Sequence, residues 1–77
     1  MKLFMNAIWS ATGKKVTGRH HGKPFSGHIS HVRTKYGSDL QVTIVESEDD
    51  DHHLHLIDGS TLYNGGNGIY ENLHVYL

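Results

Sequence analysis

Histidine and carboxylate side chains crowd the segment 49–55, which reads DDDHHLH. On a β-strand, His53 and His55 project from the same face about 7 Å apart, because alternate residues share a face. Imidazole and carboxylate groups are ligands for Zn, Ni or Cu, so His53, His55 and Asp51 form a candidate metal site, with His74 as a further candidate ligand. The alternative is an acidic turn and a polar strand face that bind no metal.

Cations are concentrated in the first half of the chain. All seven Lys and Arg residues precede residue 36, and all eight Asp and Glu residues follow it. Small β-proteins bind nucleic acid through cations that contact phosphates and aromatic rings that stack on bases. The alternative is a solvated basic surface balanced by the acidic half, which fits the net charge of −1. The predicted nucleic-acid surface consists of Lys14, Lys15, Arg19, Lys23, Arg33, Lys35 and Tyr36.

Aromatic side chains predict a protein partner as the competing mode of binding. Trp and Tyr dominate the energetics of protein interfaces, and Trp9, Tyr63, Tyr70 and Tyr76 are the candidates here. A chain of 77 residues buries only a small core, so a second copy of the chain is also a candidate partner. Salt separates the two modes, because phosphate contacts weaken steeply as salt rises and aromatic contacts do not.

Eight histidines invite a search for acid–base chemistry, yet no spacing selects a catalytic residue. The sequence has no Gly-x-Ser-x-Gly nucleophile elbow, and a domain this small offers little concave surface from which water is excluded. We therefore expect no catalytic residue and no cofactor. The absence of cysteine excludes disulfides and thiolate metal sites, and it fits a cytoplasmic protein.

Short β-strands are predicted to carry these side chains. Leu40, Val42 and Ile44 point one way in the clearest period-two pattern of the chain. Ser60 begins a single helical turn that presents Leu62 to the core. The remaining strands are predicted over residues 2–9, 14–19, 25–34, 52–57 and 73–77.

Two of the predicted strands also have a predicted inward face. Leu54 and Leu56 face inward in the fifth, and Leu73, Val75 and Leu77 face inward in the last. The apolar run at the N-terminus is too short for a transmembrane helix, so we expect no contact with a membrane.

Five to six short antiparallel strands, with one helical turn before the last, resemble an SH3-like barrel. The first hairpin carries Gly13-x-x-Val16 and then Gly22-x-x-Phe25-x-Gly27-x-Ile29, a pattern similar to that of KOW, Tudor and Sm-like modules. The resemblance implies an all-β fold, with residues 1–77 as a single domain that works by binding. The OB-fold is the alternative five-stranded barrel.

The first hairpin is also similar to that of the plasmid-type (type II) dihydrofolate reductases. That resemblance implies an oligomeric enzyme in which four chains surround a pore lined by a Val-Gln-Ile-Tyr strand. Here the corresponding strand reads His53-Leu54-His55-Leu56 and lacks both the Gln and the Tyr. We therefore expect a non-enzymatic accessory or inhibitor protein, of the kind that phages and mobile elements encode, with a protein or nucleic-acid partner.

Overall fold

The computed structural model describes residues 5–35, 39–46 and 53–77, and its five antiparallel β-strands form one sheet. A 3-10 helix at Met5–Ser10 precedes β1 (Lys15–His20), β2 (Lys23–Lys35), β3 (Asp39–Val45), β4 (Leu54–Asp58), α1 (Gly59–Asn64) and β5 (Tyr70–Tyr76). The strand order is β4-β3-β2-β1-β5. An all-β domain with one short helix before its last strand is the predicted fold class, and it is confirmed.

The long strand β2 links the two halves of the sheet. Its 13 residues pair with β1 near their start and with β3 towards their end. His28 lies where the two pairings overlap, opposite Lys15 on one side and Val45 on the other. A Cβ atom on the neighbouring Gly27 would overlap with the carbonyl oxygen of Val45, so only glycine lets the strands approach this closely.

One hydrophobic core lies inside the sheet. Both edge strands, β4 and β5, contribute to it, so the sheet must curl until its two edges approach each other. The predicted inward faces of β3 and of the helical turn at α1 are confirmed, because their apolar residues are buried. The core consists of Ile8, Ala11, Val16, Phe25, Ile29, Leu40, Val42, Ile44, Ile57, Leu62, Leu73 and Val75.

The prediction of a first strand over residues 2–9 is wrong, because the described part of this segment is the 3-10 helix. Strand β5 pairs with the edge of β1 that is not occupied by β2, so a strand at the N-terminus would have no partner there. A helical turn instead buries Ile8 completely and leaves Trp9 52% exposed. The Cδ1 atom of Ile8 lies 3.5 Å from where a Cβ on Gly59 would be, so this helix packs beside α1.

Strand β4 has the opposite phase from the one predicted. Leu54 and Leu56 are 61% and 56% exposed, whereas His55 and Ile57 are buried. The register explains the phase, since His55 and Ile57 lie opposite inward residues of β3. Counting leucines favours the wrong face, because it ignores the contacts that a buried His55 makes across the sheet.

Strand β5 begins earlier than predicted and ends at Tyr76. Leu73 and Val75 are buried as expected, but Leu77 is 53% exposed, so its predicted inward orientation is wrong. Its pairing with β1 ends at Lys15 opposite Tyr76, which leaves Leu77 beyond the core. Among the residues described, no helix is long and apolar enough to cross a membrane.

Candidate binding site at the hairpin tip

His21 and Gly22 form the turn between β1 and β2. Their φ angles are 51° and 76°, the positive values of the type I′ turn that matches the twist of a two-stranded hairpin. His20 and Lys23 therefore lie opposite each other in register. The backbone N–H of His21 donates to the carbonyl oxygen of Ile69 at 2.9 Å, which ties the turn to the segment before β5. We call residues 19–23 the hairpin tip.

Asn67 fixes the start of β5 beside the hairpin tip. Its Oδ1 atom accepts hydrogen bonds from the backbone N–H groups of Ile69 and Tyr70 at 3.1 and 3.0 Å. Its own N–H donates to the carbonyl oxygen of Tyr70 at 2.8 Å. Because Tyr70 pairs with His20 in the sheet, this turn determines where the Tyr70 ring meets the tip.

Four rings pack together below the hairpin tip. His20 stacks on Tyr70, with ring centroids 4.5 Å apart and planes 16° from parallel. His55 meets His20 edge-on at 5.0 Å, and Phe25 lies 4.5 Å from His55. We call His20, Phe25, His55 and Tyr70 the ring cluster. It joins β1 and β2 to both edges of the sheet.

His55 makes the side-chain contact between the two sheet edges. Its Nδ1 atom lies 3.0 Å from the hydroxyl oxygen of Tyr70, a hydrogen-bond distance. Its Nε2 atom lies 3.5 Å from Oε2 of Glu46. That second contact is electrostatic and not a hydrogen bond, so Nε2 is buried without a hydrogen-bond partner among the described residues. A buried polar atom in this state needs a further group to satisfy it.

The surroundings of His20 and Tyr70 favour the neutral form of each side chain at neutral pH. Burial lowers the pKa of His20 below 6.5, and His21 and His55 lower that pKa further, whereas Glu46 acts in the opposite direction. Burial raises the pKa of Tyr70 above 10.0, and the Glu46 carboxylate adds to the rise. His20 and Tyr70 thus present uncharged rings, and Lys23 supplies a positive charge at the rim of the adjoining hollow.

A hollow of about 270 Å³ opens beside the ring cluster. Buried Phe25 and His55 line its floor, whereas Lys23 and His53 at its rim are exposed. A neighbouring hollow shares Lys23, Phe25, Glu46 and His53 and continues along the start of β2. We call the joined hollows the tip groove.

The predicted cations of β1 divide between its two ends. Arg19 and Lys23 lie at the hairpin tip, and neither forms an ion pair in the described part of the chain. Lys14 and Lys15 lie at the opposite end, about 17 Å away along the strand at about 3.3 Å per residue. Of these four cations only Lys23 borders the tip groove, whereas Arg19 lies at the hairpin tip without lining the groove.

Arg33 and Lys35, also predicted for the basic surface, lie far from the hairpin tip. Arg33, near the end of β2, donates from Nε and Nη2 to Oε1 of Gln41 at 3.0 and 2.7 Å. Lys35 is the last residue of β2 and pairs with Asp39 in the sheet. Tyr36 lies outside the described residues. Arg33 is therefore already engaged within the sheet.

The predicted aromatic partner residues do not form one surface. Trp9 is exposed on the 3-10 helix, and Tyr63 is half-buried on α1. Tyr76 is 48% exposed at the end of β5, where the hydroxyl of Thr17 donates to its hydroxyl oxygen at 3.3 Å. Tyr70 belongs to the ring cluster instead, where it stacks on His20.

The described residues contain no group of three or more His, Asp or Glu side chains that could hold a metal ion. His55 is buried and His53 is exposed, and both border the tip groove. His74 packs against Tyr76 at 4.5 Å. Asp51 lies outside the described residues, so the predicted site of His53, His55 and Asp51 stays a prediction.

Sequence reasoning missed Glu46 and the contact between His55 and Tyr70. Glu46 directly follows β3, and only the pairing of its N–H with the carbonyl oxygen of His53 at 3.0 Å brings it to the groove. His55 and Tyr70 are on opposite edges of the sheet, so no local spacing relates them. One feature of the sequence could have predicted the inward position of His55. Ile57 is apolar and lies two residues further along the strand, so the two side chains share a face.

Replacing Tyr70 with Phe is expected to lower the free energy of unfolding by about 1 to 3 kcal/mol. The ring still stacks on His20, but buried His55 loses the hydrogen bond at its Nδ1 atom. Urea denaturation measures the loss. Tyr76→Phe is the matched control, because this hydroxyl is on the surface and its removal should change stability by less than about 0.5 kcal/mol. Equal losses in the two variants would contradict a structural role for the His55–Tyr70 contact.

Comparison with protein-family models, with curated proteins and with solved structures gives no match for this chain. Any assignment of function therefore depends on the ring cluster, the tip groove and the unpaired cations beside them.

Proposed function

We propose that this protein is a non-enzymatic binding module that holds single-stranded nucleic acid in the tip groove. The observation that carries the proposal is the juxtaposition of an aromatic floor with exposed cations that have no ion-pair partner. Phe25 and His55 line the hollow, and Lys23 lies at its rim. Single-strand binders combine these two elements, because rings stack on bases and cations contact the phosphates between them.

The size of the hollow favours an unpaired base over a duplex. A volume of about 270 Å³ is near the lower end for ligand pockets and suits one flat ring system. A base can enter such a hollow only when it is unstacked and unpaired, as in single strands and loops. The phosphate next to that base would then lie near Lys23, at the rim of the groove.

Among the residues that the structure describes, Glu46 is the one carboxylate that lines the groove, and its position limits its effect on a polyanion. Its side chain is 26% exposed, and its Oε2 atom lies 3.5 Å from His55 Nε2. A carboxylate held between ring groups can accept a hydrogen bond from a base amino group, as Glu and Asp do in direct readout. We assign Glu46 to the base and the exposed cations to the phosphates.

Lys23→Ala is expected to weaken binding of a fluorescently labelled single-stranded oligonucleotide several-fold and to reduce the salt dependence. The logarithm of affinity against the logarithm of salt should lose about 0.7 from its slope, the value for one phosphate contact on a single strand. Fluorescence anisotropy at several salt concentrations measures both effects. Lys14→Ala is the matched control, since it removes the same charge from an exposed site at the far end of β1.

The comparison of the two lysine variants can also contradict the proposal. Equal loss of affinity would mean that net charge, and not the tip groove, attracts the oligonucleotide. No binding by the wild-type chain at low salt would exclude nucleic acid altogether.

A protein partner is the second candidate, and the phase of β4 favours it. Leu54 and Leu56 are more than half exposed at successive outward positions of an edge strand. Edge strands offer unpaired backbone groups, and exposed leucines add apolar area that a partner strand could cover. Binding through this face would be insensitive to salt and to the change at Lys23.

The finer fold proposal is an SH3-like barrel. The order β4-β3-β2-β1-β5, the helix between β4 and β5, and the hydrogen bond from one sheet edge to the other support it. A small cytoplasmic accessory protein of phage or mobile-element type suits a compact domain of this size without cysteine.

A further inference from the structure

The loop between α1 and β5 contains two Asn-Gly pairs, Asn64-Gly65 and Asn67-Gly68. In such a pair the backbone nitrogen of the glycine can attack Cγ of the asparagine, because glycine has no side chain to hinder the approach. Both pairs have the same two residues in the same order. A difference between their reaction rates in the folded chain must therefore come from the structure around each nitrogen.

The Asn64-Gly65 pair is protected by the end of α1. The Gly65 N–H donates to the carbonyl oxygens of Thr61 at 3.0 Å and Leu62 at 3.3 Å. These bonds satisfy carbonyl groups that would otherwise be unpaired at the end of the helix. Attack by the Gly65 nitrogen requires that both bonds break, so the helix end opposes the reaction.

The Asn67-Gly68 pair has the opposite arrangement. The Gly68 N–H makes no hydrogen bond within the described residues, and both residues are exposed beside an open hollow of about 340 Å³. The Oδ1 atom of Asn67 accepts hydrogen bonds from the N–H groups of Ile69 and Tyr70. Two backbone donors on a carbonyl oxygen stabilise the negative charge that develops there during nucleophilic attack, as an oxyanion hole does.

We propose that Asn67 is a site of spontaneous deamidation created by this fold. The Gly68 nitrogen gives its proton to water or hydroxide and forms a bond to Cγ of Asn67. Nδ2 takes up a proton from water, the bond from Cγ to Nδ2 breaks and ammonia leaves, so that a succinimide ring remains. Water opens the ring at either carbonyl and yields aspartate or isoaspartate, with no oxidant or reductant needed.

The reaction would alter the hairpin tip from a distance. Isoaspartate adds a methylene group to the main chain and moves the acceptor that holds Ile69 and Tyr70. The carbonyl oxygen of Ile69 accepts the N–H of His21, and Tyr70 stacks on His20. Modification at Asn67 therefore loosens both attachments of β5 to the tip.

Mass spectrometry of the wild-type chain tests the proposal with an internal control. The folded protein is incubated at mildly alkaline pH, and a second sample is incubated in urea. Chymotryptic cleavage after Tyr63 and Tyr70 releases residues 64–70, which contain both pairs, and fragmentation shows which asparagine has become an acid. In the folded sample Asn67 should react about tenfold faster than Asn64, less than a single oxyanion-hole donor usually contributes. In urea the two rates should converge.

Two outcomes would overturn the proposal. Equal rates in the folded chain would mean that neither the α1 hydrogen bonds nor the donors on Asn67 matter. A preference for Asn67 that persists unchanged in urea would assign the difference to local sequence and not to the fold.

Discussion

Ile29→Ala is expected to lower the free energy of unfolding by about 2 to 5 kcal/mol. Ile29 has no exposed surface and lies in the middle of β2, where the two halves of the sheet join. Truncating a fully buried isoleucine costs about 2 to 5 kcal/mol, through lost burial and the cavity that remains. A chain of 77 residues has a total stability of only about 5 kcal/mol, so most of it would be lost. Urea denaturation followed by circular dichroism measures the change.

Leu56→Ala is the matched control for the core variant. The same kind of truncation on the exposed face of β4 should change stability by less than about 0.5 kcal/mol, because Leu56 is 56% exposed. The comparison also tests the strand phase directly. A loss at Leu56 as large as that at Ile29 would mean that the leucines of β4 face the core, and His55 would then lie outside.

Lowering the pH from about 7.5 to about 5.5 is expected to strengthen oligonucleotide binding at constant ionic strength. Histidine side chains gain a positive charge as the pH falls through about 6.5. His20 and His21 are at the hairpin tip and His53 is at the rim of the groove. Each histidine whose pKa rises by about one unit on contact with phosphate adds up to about tenfold in affinity.

The same titration works against the fold of the free protein. The pKa of His20 is lowered in the folded chain, chiefly by burial, so the unfolded chain takes up this proton first as the pH falls. The free energy of unfolding is therefore unaffected by His20 above about pH 6.5 and decreases below it. A phosphate bound next to protonated His20 would restore part of the lost free energy of unfolding.

A double variant separates the tip histidines from the others. In His20→Gln with His21→Gln, the gain in affinity at acidic pH should shrink, whereas His31→Gln, on the exposed surface of β2, should keep it. Affinity that stays flat across this pH range in the wild type would remove the histidines from the interface.

The fold could be predicted where a local pattern of apolar residues determines which face of an element is buried. The alternation of Leu40, Val42 and Ile44 has only one buried face available, so β3 follows from its pattern. The helical turn at α1 follows for a similar reason, with Leu62 buried. Both are local features, and neither depends on which strands lie at the sheet edges.

The candidate site could be predicted only in part, because it is assembled by the closure of the sheet. Lys23 and Arg19 were found from charge alone. The inward position of His55 depends on its hydrogen bond to Tyr70 and its proximity to Glu46, which lie on other strands or at their ends. The 3-10 helix was missed because an alternation of apolar residues over so short a segment does not distinguish a strand from a helical turn.

Nuclear magnetic resonance titration of the isotope-labelled protein with a short single-stranded oligonucleotide tests the location of binding most directly. We expect the largest chemical-shift changes at the backbone amides of His21, Gly22 and Lys23 and at those of the ring cluster. The amide signals of Leu56 and Lys14 should change very little. Shifts concentrated on Leu56 and not on the hairpin tip, or no shifts at all at low salt, would contradict binding of the oligonucleotide in the tip groove.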